Sequence, residues 1–387
     1  MPTKYLVSLF GVLTGAATLL AAASVIPASA AGTNAYSIDY LVSNQTGAKH
    51  EDPHLQNPWG VAFLPGDPFW FSDNNSGLST LYDGAGTIQS LVVTIPLPSP
   101  PLRPDINPNA SAPTGIVANS ADDFFVGGDP NWPSLFIFDS EDGTIAGWFS
   151  TSGTNASIVV DNSLNGAHCK PKPATNCQGA VYKGLALGSN KAQGALLFAT
   201  NFRSGKIEVY NSKFKAISLG ATAFVDAQIP AGYSPYGIAN LGGDLYVTYA
   251  KQDGPKHDSL SCAGCGFVDI FTTDGALVKR LLPVGKNAKL NAPWGVALAP
   301  ASFGAFGSAV LVGNFGNGWI NAFDHSGNFL GSLQNGATKA PLVINNLWTI
   351  LFTGPHGPPK TSPSALYFTA GPNNQTNGRF GSITPTK

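Results

Sequence analysis

The chain has 387 residues and a formal net charge of −1, with charged residues at only 11%. No basic stripe runs along it, so nucleic acid is not an expected partner. Aromatic residues at 11% argue against disorder, while 45 glycines and 30 prolines suit many short strands joined by tight turns.

Residues 1–30 read as an export signal. Lys4 is the positive start, residues 5–23 form an apolar core, and Ala28-Ser29-Ala30 is a small-residue cleavage site. The apolar stretch is short and Ala-rich for a membrane anchor. No later stretch is apolar for that length. The mature chain, residues 31–387, is therefore expected to be secreted or periplasmic, without a membrane span, and to form a single monomeric domain.

From there a two-part phrase recurs. Its first part is Pro or an aromatic, then Gly, then an apolar pair: Pro58-Trp59-Gly60-Val61-Ala62, Pro113-Thr114-Gly115-Ile116-Val117, Tyr182-Lys183-Gly184-Leu185-Ala186, Pro235-Tyr236-Gly237-Ile238-Ala239 and Pro293-Trp294-Gly295-Val296-Ala297. Leu347-Trp348-Thr349-Ile350-Leu351 is a degraded sixth copy. Each is followed by an apolar strand, expected at 69–71, 124–126, 196–198, 245–247, 310–312 and 366–368. A Gly-bearing loop, an alternating strand and a fourth short strand then complete the unit. Period-two alternation bounded by Gly and Asp/Asn turns is the strand signature.

The repeat glycines stand at 60, 115, 184, 237 and 295, with Thr349 in the sixth slot, so the intervals are 55, 69, 53, 58 and 54 residues. Four strands fit that length. A lone meander cannot bury both faces, whereas a closed ring of them can. The expected fold is all-β, a six-bladed β-propeller. The sixth unit lacks a fourth strand, and a spare strand stands ahead of the first unit at 36–42. That strand is expected to complete the last blade and so cap edges that would otherwise aggregate.

The phrases Asp52-Pro53-His54-Leu55-Gln56-Asn57-Pro58-Trp59-Gly60, Asp142-Gly143-Thr144-Ile145-Ala146-Gly147-Trp148, Leu290-Asn291-Ala292-Pro293-Trp294-Gly295 and Gly313-Asn314-Phe315-Gly316-Asn317-Gly318 together resemble a family of uncharacterised, exported bacterial proteins of β-propeller fold. The match runs from about residue 36 to the C-terminus. More loosely the repeats are similar to NHL-repeat and gluconolactonase-like propellers, which include binding modules, lactonases and a zinc-dependent lyase. The close resemblance implies the fold and no activity. The Cys-bearing insert at 169–177 departs from its pattern.

Insertions fall at 95–112, 161–181 and 251–265, the last two on what should be one face. They carry Cys169, Cys177, Cys262 and Cys265. An even count in an exported chain favours disulfides, and of three possible pairings the local ones, 169–177 and 262–265, are expected. A metal site is the rival, since His168 abuts Cys169 and His257 precedes Cys262.

The residue before each repeat glycine should ring the channel mouth: Trp59, Thr114, Lys183, Tyr236, Trp294 and Trp348. Four are aromatic and one is cationic. The functional reading is a platform for a sugar ring or another flat ligand, since Trp and Tyr offer an apolar face with a polar handle. The structural reading is that they wedge neighbouring blades together. A second ring, at the ends of the second strands, is Asp73, Gly128, Asn201, Tyr249, Asn314 and Ala370. There Asp73, Asn201 and Asn314 supply hard oxygens that suit a Ca2+ ion, against the plainer role of bonding nearby backbone. His50, His54, His168 and His257 belong to the same face, where three imidazoles would suit zinc. His325 and His356 belong to the other.

No nucleophile elbow, His-Glu-x-x-His, phosphate loop or EF-hand loop occurs, so no catalytic residue is assigned. The expected function is a binding module that recognises a small molecule, glycan or protein partner at the top of the central channel. The alternative is a metal-dependent hydrolase, lactonase or lyase, using calcium or zinc, in the same pocket. A third is a purely structural envelope protein.

Overall fold

The computed structural model describes residues 32–99, 109–164, 179–282 and 287–386. Six sheets form, each built on a four-stranded antiparallel meander whose first strand is innermost. The inner strands are Pro58–Ala62, Pro113–Ala118, Tyr182–Asn190, Tyr233–Leu241, Pro293–Leu298 and Leu347–Leu351. They pack side by side in chain order, and the sixth lies against the first, which closes the ring. The molecule is a six-bladed β-propeller, as the repeat spacing predicts.

Closure works as the spare strand predicts. Tyr36–Ser43 pairs antiparallel with Arg379–Pro385, from Tyr36 opposite Pro385 to Ser43 opposite Arg379. It thus becomes the outer strand of a blade whose other three strands come from the C-terminus. Tyr36 anchors it, with its ring 4.9 Å from Phe303 and its hydroxyl donating to the Phe303 carbonyl at 3.1 Å.

The repeat glycine is explained by what lies beside it. A Cβ on Gly237 would stand 2.2 Å from the Trp294 carbonyl oxygen, and one on Gly295 would stand 2.6 Å from that of Trp348. Successive inner strands approach so closely here that only hydrogen fits. In the sixth slot Thr349 reverses the device, its hydroxyl donating to the Trp59 carbonyl at 2.7 Å. The second strands reinforce the seam. Thr200 donates to the Tyr236 carbonyl at 2.7 Å, and Thr369 donates to the Trp59 carbonyl at 2.7 Å.

On either side of blade one the filling is aromatic. Trp70 stacks on Phe136 at 4.1 Å, and Phe69 lies 5.1 Å from Tyr367. Between blades four and five the filling is mainly aliphatic, with Val268, Ile270, Val296, Val310 and Val312 packed together.

Blade two differs from expectation. Its second strand is Phe136–Ser140, not residues 124–126. Val126–Gly128 is a 3-10 turn, with Gly127 and Gly128 at positive φ. Phe124, itself at φ 53, is fully buried 5.2 Å from Phe214. A short apolar run cannot by itself distinguish a strand from a loop that inserts its rings into the core. Ser140 therefore takes the second-strand position expected of Gly128. The strands that follow, Thr144–Trp148 and Ser157–Asp161, complete the blade.

Candidate functional site

The inner strands all start on one face, and that upper face carries the six residues that precede the repeat positions. All are buried: Trp59 2% exposed, Thr114 0%, Lys183 1%, Tyr236 1%, Trp294 9% and Trp348 1%. The aromatic four meet on the axis. Trp59 stacks on Trp348 at 3.5 Å and meets Tyr236 and Trp294 edge-on at 6.3 and 6.1 Å. They form one cluster with Phe202 and Phe315 that plugs the channel. Thr114 turns instead into the seam, its hydroxyl donating to Asp139 at 2.8 Å.

The plug is polar at defined points. Trp348 donates its indole N–H to the Asn57 side-chain oxygen at 2.9 Å, and Trp294 donates to the Lys183 carbonyl at 2.8 Å. The Trp59 indole nitrogen is buried and has no partner among the described residues.

Lys183 is where the charge lies. Its ammonium sits 5.1 Å from the Trp59 ring centre and pairs with the Glu141 carboxylate, which is itself 4% exposed. It also pairs with Asp258 at 3.3 Å. Asp258 in turn bonds the His257 ring at 2.9 Å. Three blades build this cluster. Lys183 is the second residue of an inner strand, Glu141 follows the second strand of blade two, and His257 and Asp258 lie in the loop after Asp244–Gln252. Asn74 of blade one completes it by donating to Glu141 at 3.1 Å.

Exposure is graded. Lys183 and Glu141 are inside, His257 is 20% exposed and Asp258 is 66% exposed, so Asp258 meets solvent first. Burial pushes the Asp258 carboxyl up, but the His257 hydrogen bond and the Lys183 charge outweigh it and hold the group below the usual carboxylate range. Burial lifts the Tyr236 hydroxyl well above its ordinary range, and it accepts a hydrogen bond from Ser259 at 3.1 Å. Ligand atoms of Glu141, His257 and Asp258 all lie within 4.8 Å of one another, a spacing that can hold a metal ion. Lys183 already neutralises two of them.

The oxygens of the second ring bond locally, except the buried Asp73 Oδ1, which has no partner among the described residues. Asp73 accepts from the Thr80 amide and hydroxyl at 3.1 and 2.8 Å, and burial lifts its carboxyl well above the usual range, toward the neutral acid. Asn201 accepts from the Ser204 amide at 3.2 Å and donates to Glu208 at 2.7 Å. Asn314 accepts from the Asn291 amide at 3.2 Å and donates to the Lys289 carbonyl at 2.8 Å.

Of the histidines, His257 joins the lysine cluster. His54 bonds Asp52 at 3.1 Å, His50 lies in the short strand beside Val42, and His325 bonds the Ser308 carbonyl at 3.1 Å. Cys262 and Cys265 form a disulfide in the loop that carries His257. Cys169, Cys177 and His168 lie outside the described residues.

Sequence reasoning found Lys183 and His257 but missed Glu141 and Asp258. A lysine in a ring of aromatics was the available signal, because a buried ammonium demands carboxylates nearby. Which carboxylates answer it depends on blades that are far apart in the chain.

The fold and this axial cluster define a six-bladed propeller with a charged upper end to a plugged channel. The chain belongs to a family of uncharacterised proteins that includes protein R648 of Acanthamoeba polyphaga mimivirus, 33% identical over 356 residues that cover 90% of this chain and 80% of that one. Protein L690 of the same virus is 31% identical over 357 residues, covering 90% and 85%. Both relatives are viral and uncharacterised. No family model matches the chain. Among solved structures a streptogramin B lyase aligns over 91% of this chain and 98% of its own, with a TM-score of 0.50 and 13% identity. A gluconolactonase from Xanthomonas campestris aligns over 86% and 88%, with a TM-score of 0.48 and 13% identity. The lyase likeness shows the fold alone. Among the described residues no helix is long and apolar enough to cross a membrane.

Proposed function

We propose that the mature protein, exported after loss of residues 1–30, is a binding propeller for a small molecule or glycan, which it takes at the upper end of its channel. One observation carries this reading. Side chains from blades two, three and four converge on the buried Lys183 ammonium directly above an aromatic plug. Replacing a buried ion pair by apolar residues commonly stabilises a protein, so its retention in an otherwise apolar axis favours a functional role. Two carboxylates, Glu141 and Asp258, face the single Lys183 ammonium, and the outermost group is the ionised Asp258. It therefore suits a ligand that presents hydroxyl or amine donors.

Thermal-shift screening against monosaccharides and small amines tests this. A stabilising compound should lose its shift in Asp258→Asn, with the shift read against that variant's own unliganded melting temperature, which falls somewhat because Lys183 loses one of its two carboxylates. A shift that survives in Asp258→Asn, or no shift from any compound, overturns the reading.

A second reading rests on the convergence of Glu141, His257 and Asp258. It is a metal-dependent hydrolase, lactonase or lyase in the same place. A metal ion there must displace Lys183 from between the carboxylates. Lys183→Met should then raise affinity for zinc or calcium in a direct titration, and His257→Ala should lower it again. Equal metal uptake by all three proteins removes this reading.

A further inference from the structure

Below the plug the channel is a different environment. A cavity of about 540 Å³ runs from Gly60, Gly115, Gly295 and Trp294 down to Phe63 and Phe352. All six inner strands line it, and no lining side chain is charged. Its polar side chains are already engaged. Thr349 donates to the Trp59 carbonyl, Trp294 donates to the Lys183 carbonyl, and Asn240 donates to the Leu187 carbonyl at 2.8 Å while accepting from Gly243 at 3.0 Å. What remains polar in this wall is main chain. Each inner strand is terminal in its sheet, paired on one side only, so its second edge is free of sheet partners. Near the repeat glycines the neighbouring strand covers this edge, since Gly60 lies against the Ile116 amide and Gly295 against that of Ile350, and the Leu187 carbonyl is taken by Asn240. The unpaired edge lower in the wall, toward the mouth, is what an added strand can pair with.

We infer that this lower cavity binds a short, neutral, apolar peptide segment in extended form, entering from the mouth at Phe63 and Phe352 and hydrogen-bonding to an inner-strand edge. The volume lies in the range of about 300–1,000 Å³ typical of small-ligand sites. The wall in blade one runs from Gly60 to Phe63, four residues, which at roughly 3.3 Å each spans a segment of similar length. Charged ligands are disfavoured because nothing in the wall compensates their lost hydration. A plain hydrocarbon is disfavoured because it would strand the free backbone groups that it covers. The inference is independent of the upper site, from which the aromatic plug separates it.

The test is calorimetric titration of the full mature protein with acetyl-Ala-Val-Ala-Val-amide, with intrinsic tryptophan fluorescence followed in parallel. Binding is expected, and N-methylation of the peptide's backbone amides should weaken it by at least about tenfold, the loss of one or two hydrogen bonds. Ala239→Trp, which adds a large ring to the lining, should abolish binding. Should that variant misfold, the N-methylated peptide decides the matter on the unaltered protein. Equal binding of both peptides and of decanol would show a merely apolar cavity and overturn the inference. Absence of peptide binding overturns it as well.

Discussion

A lysine ammonium with 1% exposure persists only where carboxylates replace its hydration, and Glu141 and Asp258 do that for Lys183. Glu141 is buried as well, so removing Lys183 leaves a buried carboxylate without its cation. Lys183→Met should therefore cost about 3–5 kcal/mol in urea unfolding. Lys183→Met combined with Glu141→Gln should recover much of that loss, because no buried charge is then unpaired. Equal instability of the single and double variants would show that Lys183 acts through packing alone. Lys183 was legible because it broke an aromatic series at a fixed repeat position. Glu141 was not, because Ser140-Glu141-Asp142-Gly143 reads as an ordinary turn until blade three is placed beside it.

At the scale of the element, the glycine before each inner strand's apolar pair is a seam, not a hinge. Gly237→Ala would force a carbon to 2.2 Å from the Trp294 carbonyl, whereas at Gly184 the nearest atom is 3.1 Å away. Gly237→Ala should cost roughly 1–3 kcal/mol by forcing the strands apart, with Gly184→Ala milder. Melting temperatures of the two variants check the order. The terminal strand makes a stronger demand. Removal of residues 32–44 exposes the whole Arg379–Pro385 edge, and the shortened protein should elute as aggregates and lose its cooperative transition. A monomeric, cooperative product would mean that three strands suffice for blade six. The period-two patterns located most strands, including this one. They misplaced the second strand of blade two, where Phe124 satisfies a hydrophobic demand from within a loop.

For the whole molecule, the buried acids set the pH response. Burial pushes Asp139 up to about 7, against hydrogen bonds from Thr114 and Gly115, and pushes Asp269 up to about 7, against the charge of Arg280. In the folded state both keep a proton that the unfolded chain releases at a pH of about 4. The folded protein thus binds more protons between those limits, and its stability falls as pH rises from about 4 to about 7. Asp83 and Asp258 act in the opposite sense. Burial raises each, but stronger bonds and charges leave both lowered, so their contribution is present above about 4 and is lost as pH falls through their folded values. Maximum stability should therefore lie on the mildly acidic side. Unfolding curves at a series of pH values check this. Asp139→Asn, which keeps the acceptor and cannot ionise, should flatten the decline by roughly 1–4 kcal/mol.

The sequence by itself determined the number of blades, the closure by the first strand and the residues at the axis. Each of these is a periodic or local property, written in spacing, alternation and turn residues. Only the tertiary structure decided what the axis is. Whether Trp59, Tyr236, Trp294 and Trp348 present open faces or stack into a plug depends on the radius at which six sheets pack, and packing set that radius small enough for rings to touch at 3.5 Å. The partners of Lys183 were decided in the same way. They come from positions 141 and 258, and a contact across the ring leaves no trace in the order of residues along the chain.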